Sequence, residues 1–349
     1  MKRTLSFPRV SRRALLSTAA VQPSLPGLIA ATAADAQAPA GVLTSWNDGP
    51  AKQAILDFVH ATIDQASPSY VPADDRVATF DQDGTLWVEH PIYTQAMFAL
   101  DRVRVLAPAH PGWKNDEPFK TVLSGDFADV GHFTEKDWTE IIGATHAGMT
   151  TDEFLDIAKQ WLETAKHPRF KRLYPELVYQ PMFEVLDYLR ASDFDTYIVT
   201  GGGQEFVRVY SQRVYGIPPE QVVGSSIVTK YEMKDGKPVL MRLPKVFFVD
   251  DHDGKAIGIN LFIGKRPHAA FGNSDGDREM LEWTAAGNGA RLKMLHHDDA
   301  EREYAYGPAG DLPDTKVGTF SVSLMEEAKA RDWTVISMKN DWKRIFSFE

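Results

Sequence analysis

The stretch RVATFDQDGTLWVEH, residues 76–90, decides the fold. Val77-Ala78-Thr79-Phe80 is short, apolar and rich in strand-forming residues, so it reads as a buried strand. Asp81 and Asp83 follow one residue apart at its C-terminal end. Two like charges there repel and each loses water, so the pair needs a use: holding a cation, acting on a substrate, or both.

Two later stretches repeat the plan. DTYIVTGGGQEF (195–206) reads as a strand, Thr200, three glycines and a helix, and HAAFGNSDGDREML (268–281) as a strand, a Gly/Asn/Asp loop and a helix. Strands alternating with helices predict an α/β fold with a parallel sheet, whose loops at the strand carboxyl ends build the site. Residues 90–178 read instead as helices. Ile92, Ala96, Ala99, Val103 and Leu106 keep helical spacing, and Phe154, Ile157, Ala158, Trp161, Leu162 and Ala165 do so after a capping box, Thr150 to Glu153. A further helix is expected over 49–66. SSIVTKYEMKDGKPVLMRLPKVFFVDD (225–251) reads as a hairpin turning at Asp235-Gly236.

Residues 1–36 are basic, then apolar, then rich in small residues, the order of an export leader. Ser11-Arg12-Arg13-Ala14-Leu15-Leu16 resembles a twin-arginine signature, which predicts passage through the twin-arginine export machinery to the periplasm and cleavage after Ala36. Pro23, Pro26 and Gly27 interrupt the apolar run, and no later stretch is long enough to span a membrane. The chain carries 38 Lys and Arg against 48 Asp and Glu; loss of the leader leaves 33 against 47, a net charge of −14 that disfavours nucleic acid as a partner. Without cysteine no disulfide can form, so stability must come from the core.

An aspartate at a strand end can attack phosphorus, provided a cation offsets repulsion between anionic nucleophile and anionic substrate. A second carboxylate two residues on can protonate the leaving alkoxide and then take a proton from the hydrolytic water. Asp81 and Asp83 suit these roles in turn. DQDGT, then VTGG, then a lysine, then GNSDGD resembles, over residues 77 to about 285, the four motifs of the haloacid dehalogenase superfamily, in its phosphatase branch. The insertion and YGIPPEQVVGSSI are similar to the phosphoserine phosphatase-like group with its helical C1-type cap. The resemblance implies a Rossmann-like core at 37–89 and 179–349, an inserted helical cap at 90–178, and hydrolysis of a small phosphate monoester through an aspartyl-phosphate.

It further implies that Asp81 is nucleophile and Mg²⁺ ligand, and that Asp83 is general acid/base and ligand through its carbonyl. Thr200 and the Gly201 amide would hold the phosphoryl group, and Lys255 would neutralise it, with Lys265 as the alternative lysine. Where the family has Gly-Asp-x-x-x-Asp, this chain has Asn273 in place of the first aspartate and Asp277 as the second. Asn273 is expected as the inner ligand and Asp277 as the orienting carboxylate, with Asp275 as another source of charge. Serine-specific members carry a substrate-binding glutamate nine residues after the nucleophile; Glu89 stands one residue short, so phosphoserine remains a possible substrate. Dehalogenation is a second alternative, and a non-catalytic periplasmic phosphate-binding or sensory protein a third.

Other readings are weaker. The D-x-D-x-D-G spacing of a calcium loop is absent, and GGGQEF lacks the glycine at Phe206 that a dinucleotide site needs. His296-His297-Asp298-Asp299 reads as a strand end followed by a turn and the cap of a helix over DAEREYA, and Trp87, Trp138 and Trp161 as core.

Overall fold

The computed structural model describes residues 41–125, 130–308, 312–313 and 315–349; the leader expected at 1–36 lies outside them. Among the described residues, seven strands form one sheet in the order β4-β3-β2-β1-β5-β6-β7. These are β1 (Val77–Phe80), β2 (Asp195–Gly203), β3 (Val222–Lys234), β4 (Lys237–Phe248), β5 (Ala269–Gly272), β6 (Leu292–His297) and β7 (Thr334–Ser337). All neighbours pair in parallel except β3 and β4. The fold is α/β and Rossmann-like, as the strand–helix alternation predicts.

The sheet is buried on both faces because its strands are apolar at consecutive positions. Ile198, Val222, Phe271, Met294 and Ile336 pack into one apolar cluster, and their chain neighbours Val199, Val223, Ala270 and Leu295 into another. Period-two alternation sends each set to its own face, where helices cover it. The flanking helices include α1 (Pro50–Ile63), slightly shorter than the expected 49–66.

Between β1 and β2 the described regular elements are helical. They include α2 (Thr94–Leu106), α3 (Phe119–Ser124), α4 (Glu135–His146) and α5 (Thr151–Leu162), followed by α6 (Gln180–Ala191), which leads into β2. The Thr150–Glu153 capping box is formed, with both reciprocal bonds. Ala99, Leu100, Val103, Val122 and Ile141 make an apolar cluster of their own. The hairpin turns at Asp235 and Gly236, both at positive φ (51° and 75°), the conformation a two-residue turn between twisted strands requires.

One expected helix is missing. DAEREYA forms turns, because Asp298 takes the amides of Ala300 and Tyr304 (both 3.2 Å) and so removes donors a helix would use. His296 and His297 end β6, the strand end expected there, and are buried against the carbonyls of Gly84 and Tyr306.

Candidate active site

β1 lies between β2 and β5, so the loops leaving these three strands converge at the point where the sheet order reverses. They border a cavity of about 430 Å³ that Asp81, Asp83, Glu89, Thr200, Gly201 and Lys255 help to line. The Asp81 amide donates to the Phe271 carbonyl (2.9 Å), which anchors the β1 loop across to β5. Lys255, on α9 (Asp253–Gly258; α7 and α8 are Gln204–Arg208 and Ser211–Tyr215), donates to Asp81 Oδ1 and Asp277 Oδ1, each at 2.5 Å, and to the Val199 carbonyl at 3.1 Å. Its three protons are thereby used.

Asp277 Oδ2 accepts from the amides of Asn273 (2.9 Å) and Ser274 (3.0 Å). Protein donors therefore reach both of its oxygens: it braces the Asn273 loop and holds Lys255. Lys265 stays at the surface on the Asp74 carbonyl and near Asp75, so Lys255 is the lysine brought to the site. Asp275 Oδ1 is taken by Arg278 (2.9 Å) and Ser321 (2.7 Å), which anchors the loop.

Burial opposes the charge on Lys255, but Asp277 and Asp81 outweigh it and hold the ammonium above the usual lysine value. Burial and the Asp277 charge push Asp81 upward against the pull of Lys255. Burial raises Asp83 to about 6, with a hydrogen bond from Trp87 working the other way. That bond, Trp87 Nε1 to Asp83 Oδ1 at 2.7 Å, is one the sequence analysis missed; Trp87 is core as expected, stacked 4.7 Å from Tyr210, and also fixes the Asp83 carboxyl. Thr200 Oγ1 accepts from the Gly202 amide (3.0 Å) beside the cavity.

The donor set suits a divalent cation. Asp81 and Asp277 meet Lys255, with Asp83 and Glu89 near Asp81, so four carboxyls share one ammonium and burial opposes their charged forms unless a further cation is bound. Asn273 is buried, with Oδ1 facing Thr85 (3.2 Å) and Nδ2 donating to Glu89 Oε1 (2.8 Å) and Tyr306 (3.2 Å). Asp81, the Asp83 carbonyl and Asn273 Oδ1 are the hard oxygens available to Mg²⁺.

The opposite wall is apolar, with Trp138 and Ile142 of α4 facing Ile227, Val246 and Phe248 of the hairpin. Arg242 of β4 enters it buried, 3.4 Å from Glu205, with Nε donating to the His146 carbonyl (2.7 Å). Burial, reinforced by Arg242, lowers His146 to about 3, so it is neutral, meeting Thr145 through Nδ1 (2.7 Å) and Gln95 through Nε2 (3.2 Å). Gln95 in turn accepts from the Gly203 amide (2.7 Å). Strand alternation marks the hairpin in the sequence, but no local signal shows that it walls the site.

Asp250, just after β4, is fully buried, and its carboxyl accepts no well-formed hydrogen bond among the described residues. Burial pushes it up to about 7, against the pull of Lys255. A carboxyl raised on folding contributes stability that is full below about pH 4 and is lost as pH rises through about 7. Asp250→Asn should therefore gain on the wild type between pH 5 and 8, by on the order of 2–4 kcal/mol. Urea midpoints across that range check this; parallel curves for the two proteins would refute it.

Residues 78–282 match the family model described as haloacid dehalogenase-like hydrolase. No curated protein matches the chain. Similar solved structures include a Bordetella pertussis Tohama I protein of unknown function (17% identity, TM-score 0.46, covering 75% of this chain and 97% of that one). Others are a phosphoserine phosphohydrolase-like protein from Francisella tularensis subsp. tularensis SCHU S4 (15%, 0.35, 65% and 90%) and cytosolic 5′-nucleotidase IIIB bound to cytidine (14%, 0.39, 83% and 86%).

Proposed function

The chain belongs to the haloacid dehalogenase-like hydrolases, and we propose that it is an exported, Mg²⁺-dependent phosphatase acting on small phosphate monoesters. The observation that carries this reading is Asp81 at the end of β1, bonded to Lys255 and two residues from an Asp83 whose carboxyl is raised to about 6. Asp81 Oδ attacks phosphorus as the P–O bond to the leaving group breaks, and Asp83 gives that oxygen a proton. Water then attacks the aspartyl-phosphate, Asp83 takes its proton back, and inorganic phosphate leaves with Asp81 restored. Thr200 and Gly201 near the end of β2 meet the phosphoryl oxygens, and Lys255 offsets their charge beside Asp81. When bound, Mg²⁺ at Asp81, the Asp83 carbonyl and Asn273 supplies the positive charge that lets an anionic nucleophile approach an anionic ester.

A proton donor for a leaving alkoxide favours ester hydrolysis over dehalogenation, where no such proton is needed. We take residues 90–178 as the cap, since their described regular elements are helical and residues from α2 to α4 carry an apolar cluster of their own. The wall of Trp138, Ile142, Ile227, Val246 and Phe248 suits an apolar or aromatic leaving group, and Arg242 beside Glu205 is already paired. The leader reading adds the periplasm as destination.

The test is to recover the chain from the periplasm, read its intact mass for cleavage after Ala36, and assay it on aryl, alkyl and amino-acid phosphate monoesters with Mg²⁺ or EDTA. Turnover with Mg²⁺, abolished by EDTA and fastest on apolar esters, is expected. No turnover of any ester would overturn the enzyme reading and favour the binding-protein alternative.

A further inference from the structure

We propose that Glu89 is a positioning residue of the metal site, holding Asn273 with its oxygen toward the cation and supplying the negative charge that asparagine lacks. This rests on the Mg²⁺-dependent reading above and moves Glu89 from the substrate side of the cavity to the metal side.

Hydrogen bonds assign the two ends of the Asn273 amide. Nδ2 is turned to Glu89 Oε1 (2.8 Å) and the Tyr306 hydroxyl (3.2 Å), while Oδ1 faces the Thr85 hydroxyl (3.2 Å). An amide whose nitrogen is committed in this way offers its oxygen as a ligand. Tyr306 also donates to Glu89, so carboxylate, phenol and amide form a closed triangle. Partners of this kind orient the group that touches a metal and raise its basicity.

Two glycines make room for the carboxylate. Gly84, directly after Asp83, has φ +74°, and Gly318 has φ +58°. A Cβ at either position would strike the Glu89 carboxylate, and at Gly84 the Asn273 amide as well. Two segments 234 residues apart therefore adopt backbone open chiefly to glycine and close on one buried side chain. The partners of that side chain, Tyr306 and Asn273, are neutral. A buried carboxylate next to Asp81 and Asp83 with only neutral donors is costly unless a cation sits nearby, and its position behind Asn273 restores the charge count of a site built on an aspartate.

The experiment is titration of the metal-free full chain with Mn²⁺, followed by electron paramagnetic resonance, with Mg²⁺ as competitor. It compares wild type, Glu89→Gln, Asn273→Asp and the double variant. Glu89→Gln keeps the shape and loses the charge, and should weaken binding by roughly 10–100-fold. Adding Asn273→Asp should recover most of that loss, whereas Asn273→Asp alone places two carboxylates together and should lower Tm until Mg²⁺ is added. Tyr306→Phe keeps the charge and should weaken binding less than Glu89→Gln. Wild-type affinity in Glu89→Gln, or a double variant no tighter than Glu89→Gln, overturns the proposal alone. If Glu89→Gln does not fold, wild-type affinity in Tyr306→Phe would do the same. A wild-type chain that binds neither ion overturns the metal reading with it.

Discussion

Asp81→Asn should abolish turnover while leaving the protein folded. The amide cannot form the aspartyl-phosphate, and losing a nucleophile costs roughly 10⁴–10⁶-fold. Folding survives because Lys255 keeps Asp277 at 2.5 Å, and one of two buried like charges disappears. Asp83→Asn differs in kind: it leaves the nucleophile in place and removes the proton transfers, worth about 10²–10⁴-fold. Initial rates on the best ester, with intact mass to exclude deamidation, separate the two. Near-wild-type rates in Asp81→Asn would move the nucleophile elsewhere.

What the sequence discloses and what it hides divide along the range of the interactions. β1 is found at 77–80 as read, and the Asp235-Gly236 turn where expected, because both depend on a few adjacent residues. The strand ends were legible as a set, so Asp81, Thr200 and Asn273 could be brought to one edge of a parallel sheet before any contact was known. Contacts that close over long separations left no such trace. Tyr306 meets Glu89 across 217 residues and Arg242 meets the His146 carbonyl across 96, and no spacing rule joins them. Trp87 shows a subtler limit: its apolar neighbours mark it as core, and only its ring orientation reveals the bond to Asp83. The failed helix at DAEREYA came from Asp298, whose side chain competes for backbone donors in a way composition does not disclose.

The largest expected effect on stability falls on Lys255. In Lys255→Met the ammonium is gone and Asp81 and Asp277, at 10% and 0% side-chain exposure, face each other without it. Breaking a buried pair in this way costs about 3–5 kcal/mol, because the charges left behind have lost their water and gained nothing in return. The loss has a sign in pH. Asp81, already raised by burial and by the Asp277 charge, then loses the opposing pull of Lys255, so its protonation on folding favours the native state in acid, and that benefit is lost as pH rises. The deficit of Lys255→Met relative to wild type should therefore be largest near pH 8 and shrink toward pH 5. Adding Asp277→Asn removes one of the two charges, so the double variant should be more stable than Lys255→Met, although Asp277→Asn alone destabilises by unpicking the Asn273 loop. Such a reversal is a coupling that additive sites cannot show. Urea melts of the four proteins at pH 5 and 8, in EDTA to keep metal out of the balance, measure it. Additive effects at both pH values would mean that Lys255 contributes packing rather than charge, and would leave the catalytic role assigned to its ammonium without its structural basis.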